Sequence, residues 1–282
     1  MKIVLVGHGN VGKELRRVIS ENGLEVNLIV QKDGIYDTRG LRINEIDAFP
    51  LYIDKQTFVF IAIPSNGDGE EAGVYYSESL KRGANVITCE KAFLAHNWSV
   101  VKKHRKNIKY SATVGGDSGI LPAVSAFKGE IKNIRTVING TLNYLSERVL
   151  EGIQESVLYK ELLNNYFTEP GAKNLNEVIE NELNDVRYKS VILANHSKIF
   201  GNTVKPDDVT LQKYQKSFRC TVLIDKRTQR IQAGFMDFSD TSWFPKGVNN
   251  VLYINDEKVA EGPGAGARIT AERMFKDYLS FY

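Results

Sequence analysis

The amino-acid sequence predicts an α/β protein: a doubly wound, Rossmann-type parallel sheet joined to a second, α+β domain. Three observations carry this. An unbroken apolar run near the N-terminus passes through Gly7-His-Gly-Asn-Val-Gly12 into a helical pattern. Further wholly apolar runs alternate with helical ones to about residue 113. Beyond that point the pattern changes to longer helices followed by β-like segments. A length of 282 residues fits two domains, at roughly 100–200 residues each.

Lys2-Ile-Val-Leu-Val6 is too short and too apolar for a helix and reads as a strand buried on both faces. Val11, Leu15, Val18 and Ile19 follow at helical spacing, and Asn22-Gly23 stops that helix before a second strand, Glu25 to Val30. Phe58 to Ile63 is a third strand, Tyr75 to Arg82 a helix closed by Gly83, and Asn85 to Thr88 a fourth strand. Lys109 to Thr113 supplies one more before the glycine-rich break Val114-Gly-Gly-Asp-Ser-Gly119, which marks the exit from the first domain. Helices are then expected from about Ser146 to Asn165 and from Glu177 to Phe200, and strands near Thr221–Ile224, Ile231–Met236 and Val251–Ile254. Gly262-Pro-Gly-Ala-Gly266 leads into a helix from Thr270 to Leu279.

The composition, 42% apolar and 25% charged, can fill a core and excludes a disordered or fibrous chain. The 37 Lys and Arg and 34 Asp and Glu leave a charge of only +3, and they are scattered, so no nucleic-acid partner is expected. No apolar stretch approaches the roughly 18–20 residues that span a bilayer, and Met1 runs into a strand without the parts of a signal peptide. A cytoplasmic protein with no membrane partner is the expectation. Cys89 and Cys220 lie far apart, without a Cys/His cluster, which argues against a disulfide framework or structural zinc.

The glycine motif carries the clearest chemistry. Gly7 permits a tight turn, Gly9 lets backbone amides, those of Asn10 and Val11 among them, approach a pyrophosphate, and Gly12 lets helix and strand pack. A small-molecule dinucleotide, NAD or NADP, is therefore the expected cofactor. An acid at the end of the second strand holds a ribose hydroxyl, whereas a basic residue there accepts a 2′-phosphate. Gln31-Lys32-Asp33 offers both, with Lys32 tilting the choice towards NADP; His8 reads as a variable loop position. Ala62-Ile-Pro-Ser65 and Thr88-Cys-Glu-Lys91 each follow a strand end, the edge at which α/β sheets hold ligands, so Ser65 and Lys91 are expected to face the cofactor, the alternative for Lys91 being a solvated lysine at a helix start. In the second domain Asp185 and Lys189 are four apart on a helix, with Glu182 one turn earlier and Glu169 in the preceding loop. Such a set is either an exposed helical ion pair worth about 0.2–0.5 kcal/mol or carboxylates that clamp a substrate ammonium beside an acid–base lysine.

The order of the motifs resembles that of the homoserine dehydrogenase family along nearly the whole chain. The matching segments are GHGNVG at 7–12, Val86-Ile-Thr-Cys-Glu-Lys-Ala-Phe-Leu-Ala95, Ala112-Thr-Val-Gly-Gly116 with Pro122, Ile138-Asn-Gly-Thr-Leu-Asn-Tyr144, Thr168-Glu-Pro170, Asn184-Asp-Val-Arg-Tyr-Lys-Ser190 and Gly262-Pro-Gly-Ala-Gly266. The resemblance implies NAD(P)-dependent interconversion of L-homoserine and L-aspartate 4-semialdehyde. It makes Lys91 and Lys189 catalytic, gives Glu169 and Asp185 the substrate ammonium, and places Gly140 and Thr141 along the pocket. It further implies a homodimer paired through sheet in the second domain, and Na+ or K+ held by carbonyls around Val114 and Gly116. The chain would return to the cofactor domain near its C-terminal segment. Residues 1–113 and 262–282 then form a discontinuous dinucleotide-binding domain and residues 114–261 a catalytic and dimerisation domain. No regulatory domain is expected, and with it no feedback by an end-product amino acid through one.

Departures from the family pattern are Glu169-Pro-Gly-Ala-Lys173 in place of an acidic run, extra residues over Gly171 to Glu180, a longer turn over Val114 to Pro122, and Glu90 in place of the common Asn. They leave open hydride transfer on another small amino- or oxo-acid, or a catalytically silent NAD(P)-binding sensor. Retention of Lys91, Lys189, Asp185 and Glu169 together argues against silence.

Overall fold

Apolar runs and glycine breaks at the start of the chain set out the first sheet, and the computed structural model describes residues 1–165, 167, 172–264 and 266–282. The chain divides into two units, Met1–Thr113 with Ala267–Tyr282, and Val114–Gly266. The first unit begins with β1 (Lys2–Val6), α1 (Asn10–Glu21), β2 (Leu28–Gln31), β3 (Gly34–Tyr36) and β4 (Arg42–Asn44). It continues with β5 (Thr57–Ile61), α2 (Glu70–Lys81), β6 (Asn85–Thr88), α3 (Ala92–His96), α4 (Trp98–Lys103) and β7 (Ile108–Lys109). The sheet order is β4-β3-β2-β1-β5-β6-β7. β2, β1, β5, β6 and β7 are parallel, in registers such as Val4 with Leu28 and Ile3 with Phe58. The chain leaves β1 for β2 on one side and resumes at β5 on the other, so the strand order reverses between β1 and β5, where such sheets open a ligand crevice beyond their carboxyl ends.

Strand boundaries differ from the sequence expectation in the first sheet: β5 ends at Ile61 rather than Ile63, and two further differences have a local cause. β2 starts at Leu28 rather than Glu25 because the side-chain carbonyl of Asn27 accepts the Ile3 N–H at 2.7 Å, occupying a ladder position ahead of the strand. Residues 109–113 hold only the end of β7. Ser111–Thr113 is a 3-10 turn in which the Thr113 hydroxyl donates to the Tyr110 carbonyl at 2.7 Å. The antiparallel β3 and β4 extend the sheet beyond the parallel strands, and Lys32-Asp33 is the two-residue turn between Gln31 and Gly34.

The second unit contains α5 (Ile120–Ala126), β8 (Asn133–Val137), α6 (Gly140–Leu150), α7 (Glu155–Asn164) and α8 (Leu175–Ser197). Five strands follow: β9 (Val209–Gln212), β10 (Arg219–Asp225), β11 (Arg230–Met236), β12 (Asn249–Ile254) and β13 (Glu257–Pro263). Their sheet runs β13-β12-β8-β10-β11-β9 and is antiparallel except for the β11–β9 pair. The single helix expected over 146–165 is two helices, because the chain turns at Gly152 in the left-handed region (φ +87°). α8 starts two residues before the expected Glu177, where Asn174 caps it by accepting the Glu177 N–H at 3.0 Å, and it stops at Ser197 as Lys198 turns left-handed. Gly262 and Pro263 close β13, so the second sheet includes the first part of the glycine segment.

A final helix, α9 (Ala267–Leu279), belongs to the first unit. Its Met274, Phe275 and Tyr278 are buried with Leu15, Ile19, Phe58 and Phe60, and the Tyr278 ring meets that of Phe58 edge-on at 4.9 Å. Asp277 on the same helix accepts the Ser111 N–H at 2.7 Å and also the Ser111 hydroxyl, holding the 3-10 turn to α9. Burial pushes its carboxyl upward and those two donors pull it back. Among the described residues no helix is long and apolar enough to cross a membrane.

Candidate active site

The first unit presents the glycine cradle at the point where its strand order reverses. Gly7 donates its N–H to the Val30 carbonyl at 2.9 Å, while Ala62 donates to the Val6 carbonyl at 2.8 Å, so the ends of β2, β1 and β5 are stitched together there. Gly7 has φ +93°, and a Cβ on it would lie 2.3 Å from the Ala62 carbonyl oxygen; one on Gly12 would lie 2.2 Å from the Gly7 oxygen. At Gly9 nothing lies within 4 Å of the same position, so the cradle opens beside the residue that caps α1. α1 has no side-chain cap and no acidic residue in its first turn, which contains Asn10 and Val11, and this leaves its amide end suited to an anion. Partial burial, then the positive charges of Arg16 and Lys13, hold His8 below the usual imidazole range.

Lys32 is exposed at the β2–β3 turn. Its neighbour Asp33 accepts the Tyr36 hydroxyl at 2.5 Å, and this bond is the main reason its carboxyl sits below the usual range. Lys91 follows β6 as the residue that caps α3; its Nζ lies 3.5 Å from the Cys89 carbonyl, and its N–H donates to Ser65 Oγ at 2.8 Å.

In the second unit a cluster forms where β8 meets α6 and α8. Lys189 Nζ lies 2.6 Å from Asp185 Oδ2 and donates to the Ile138 carbonyl at 3.0 Å, with side-chain exposures of 12% for the lysine and 20% for the aspartate. The pair is therefore drawn in from the surface rather than lying along an exposed helix face. Asn139 organises it: Oδ1 caps α6 by accepting the Leu142 N–H at 2.8 Å, and Nδ2 donates to Glu182 Oε2 at 2.6 Å and Asp185 Oδ2 at 3.0 Å. Thus α8 supplies both acids and the lysine, while the β8–α6 junction supplies an amide and a carbonyl. Buried Cys220 on β10 senses the same charges. Burial first, then Glu182, push its thiol upward. Both cysteines are free thiols.

Gly140 and Thr141 open α6. A Cβ on Gly140 would meet the Val248 carbonyl at 2.4 Å, so the helix start and that loop touch through backbone. Thr141 Oγ1 donates to the Phe167 carbonyl at 2.5 Å. Glu169 itself lies outside the described residues. Val114 and Gly116 are buried in the glycine turn, where Gly115 and Gly116 have φ of +85° and +55°. A Cβ on Gly116 would meet the Gly264 and Pro263 carbonyls at 3.1 and 3.2 Å, and the buried side-chain amide of Asn250 has no hydrogen-bond partner among the described residues. Among the described residues no cluster of His, Cys, Asp and Glu is arranged to hold a metal. Sequence reasoning missed Asn139 as a member of the acid–lysine cluster; its signal was the cap position ahead of Gly-Thr-Leu.

A nucleotide cradle of this kind in one unit, and a lysine steered by carboxylates in the other, suit hydride transfer, and the class is that of the NAD(P)-dependent oxidoreductases. Residues 121–279 match the homoserine dehydrogenase family, and the chain belongs to that family. The homoserine dehydrogenase of Sulfurisphaera tokodaii is 25% identical across 99% of this chain and 98% of its own length. The fold is shared with the homoserine dehydrogenase of Thermoplasma acidophilum (TM-score 0.75, 21% identity, 99% and 98% of the two chains). It is shared as well with a hyperthermophilic archaeal homoserine dehydrogenase in complex with NADPH (TM-score 0.78, 21% identity, 99% and 96%).

Proposed function

We propose that this protein interconverts L-homoserine and L-aspartate 4-semialdehyde, with NADP as its preferred nicotinamide carrier. The observation that carries the reading is the state of Lys189. An ammonium has three N–H donors, and among the described residues two of them are engaged, by Asp185 and by the Ile138 carbonyl. The lysine is thereby oriented, with one donor to give a substrate oxygen. Bound NAD(P) supplies the hydride. Lys189 and Lys91 are assigned to the proton on the substrate oxygen, Asp185 and Glu169 to the substrate ammonium, and Gly140 and Thr141 to the wall of the pocket. Asn139 keeps the side chains of Glu182 and Asp185 converged.

The cradle fits a dinucleotide because Gly7 and Gly12 leave no room for a side chain while Gly9 leaves the approach to the amides of Asn10 and Val11 clear. Engagement of Asp33 by Tyr36 favours Lys32 as the residue that meets the ribose, hence the preference for the 2′-phosphate. Lys32→Ala is expected to weaken NADPH about ten-fold, the effect of losing one charge-assisted hydrogen bond, and to leave NADH within a factor of two, as read by nicotinamide fluorescence titration. Equal losses would remove Lys32 from that role.

A monovalent cation, Na+ or K+, is assigned to the carbonyls of Val114 and Gly116. Two features support it: the left-handed glycines that fold this turn, and the neighbouring carbonyls and buried Asn250 amide, since hard cations take oxygen ligands. The discontinuous first unit is assigned to the cofactor and the second to catalysis and to pairing with another copy of the chain, for which the open edges β13 and β9 support a sheet-mediated homodimer. The activity is tested by following reduced-nicotinamide absorbance with aspartate semialdehyde against a panel of other aldehydes and oxo-acids. Turnover should be highest with aspartate semialdehyde, and turnover confined to a different substrate would overturn the assignment.

A further inference from the structure

One buried acid in the first unit has no part in the reading above. Glu90, immediately before Lys91, is completely buried. An ionised carboxylate is tolerated there only if donors replace its water. Oε1 accepts the Ala92 N–H at 2.6 Å, the Phe93 N–H lies 3.3 Å from Oε1 and 3.2 Å from Oε2, and the Ser65 hydroxyl also bonds the carboxylate. The same Ser65 oxygen accepts the Lys91 N–H at 2.8 Å. One hydroxyl in the loop after β5 thus joins the Lys91 backbone to the Glu90 carboxylate.

The surroundings make this junction stiff. The Glu90 N–H donates to Thr88 Oγ1 at 2.9 Å, and the buried Tyr76 hydroxyl donates to that same oxygen at 2.9 Å. The Tyr76 ring stacks on Phe93 at 4.3 Å between centroids. Phe93 is held in turn against Gly69, where a Cβ would stand 2.2 Å from the Phe93 nitrogen. β5, β6, α2 and α3 therefore all bear on the residues either side of Lys91. Burial pushes the Glu90 carboxyl upward, while the Phe93 and Ala92 amides and the Lys91 charge pull it back.

We propose that Glu90 and Ser65 form a clamp that positions Lys91 for proton transfer to the substrate oxygen, an inference that rests on the reading of Lys91 as catalytic. The clamp acts by geometry: two backbone amides and a hydroxyl converge on one carboxylate, and the turn they fix sets where the lysine side chain departs. Glutamine can preserve the two amide bonds through its own carbonyl and meet Ser65 with its amide group, whereas alanine can do neither.

The test compares Ser65→Ala, Glu90→Ala, Glu90→Gln and Lys91→Ala in the full-length protein, measuring kcat, KM for aspartate semialdehyde, NADPH binding by fluorescence and the unfolding midpoint. The clamp predicts that Ser65→Ala and Glu90→Ala lower kcat by about ten- to hundred-fold, the scale of a misplaced catalytic group. KM for aspartate semialdehyde should stay near the parent value in both, NADPH affinity should stay near the parent value in Glu90→Ala, and Glu90→Gln should recover most of the rate. Ser65→Ala guards against misfolding in Glu90→Ala, since it removes a single atom. A parent-like kcat in Ser65→Ala, or a loss of NADPH affinity in Glu90→Ala that parallels its loss of kcat, would overturn the clamp. Lys91→Ala separates the two levels: if it turns over like the parent, the catalytic reading of Lys91 fails, whereas a slow Lys91→Ala beside a fast Ser65→Ala sinks the clamp alone.

Discussion

Lys189→Ala is expected to lower kcat by about 10²–10⁴-fold, the range for loss of a general acid or base, with NADPH binding and the unfolding midpoint close to the parent. The size of the effect separates chemistry from architecture. As a helical ion pair alone, Asp185 and Lys189 would be worth about 0.2–0.5 kcal/mol, and their loss would barely register in turnover. The structure gives the lysine more than that pair, since its Nζ also donates to the Ile138 carbonyl and its carboxylate partner is shared with Asn139. A variant whose kcat stays within a few-fold of the parent would remove Lys189 from the reaction and return the pair to a stabilising role. Steady-state kinetics alongside a binding titration decides it.

The second large effect belongs to the cradle. Gly7→Ala places a Cβ 2.3 Å from the Ala62 oxygen at a residue whose φ of +93° already disfavours any side chain. Nothing there can yield cheaply, because the atoms in the way are backbone at the junction of β1 and β5. NADPH affinity should fall at least about 100-fold, in step with a lower unfolding midpoint, as expected for a named backbone-strain mechanism. Gly9→Ala provides the contrast, since its Cβ would meet nothing within 4 Å. It should leave the unfolding midpoint unchanged and act only on the nucleotide. Parent-like binding and stability in Gly7→Ala would mean that the turn relaxes and that the close approach of the two strand ends is unimportant.

How far these features were legible in the sequence depended on how local their causes are. The first βαβ stretch could be read because each element carries its own signal: a continuous apolar run, then glycines, then helical spacing. β8 announces itself less clearly, since Asn133-Ile-Arg-Thr-Val137 mixes polar and apolar residues and becomes a strand by pairing with β10 and β12, far along the chain. β3 and β4 are three residues each, and β4 is exposed throughout, so no periodicity marks them. The break after α6 had a visible cause in Gly152, yet the apolar spacing on either side runs through it. For the site, the spacing of Asp185 and Lys189 was explicit. What makes the pair a buried, steered lysine comes from Ile138 and Asn139, some 50 positions away, and no spacing rule reaches that far. The Ser65 link to Lys91 is hidden for the same reason, since it joins the ends of two neighbouring strands.

The placement of α9 has a consequence for synthesis. Met274, Phe275 and Tyr278 cover apolar residues of α1 and β5, and all three are made only after the second unit is complete. At roughly 5–20 residues per second, the ribosome needs on the order of 8–30 s to translate that intervening unit. During that interval the nascent first sheet presents Leu15, Ile19, Phe58 and Phe60 without the helix that shields them. The second unit, continuous in the chain, can fold to completion while it waits. The order of maturation is thus the reverse of the order of translation, and the first unit is the part a chaperone would have to protect.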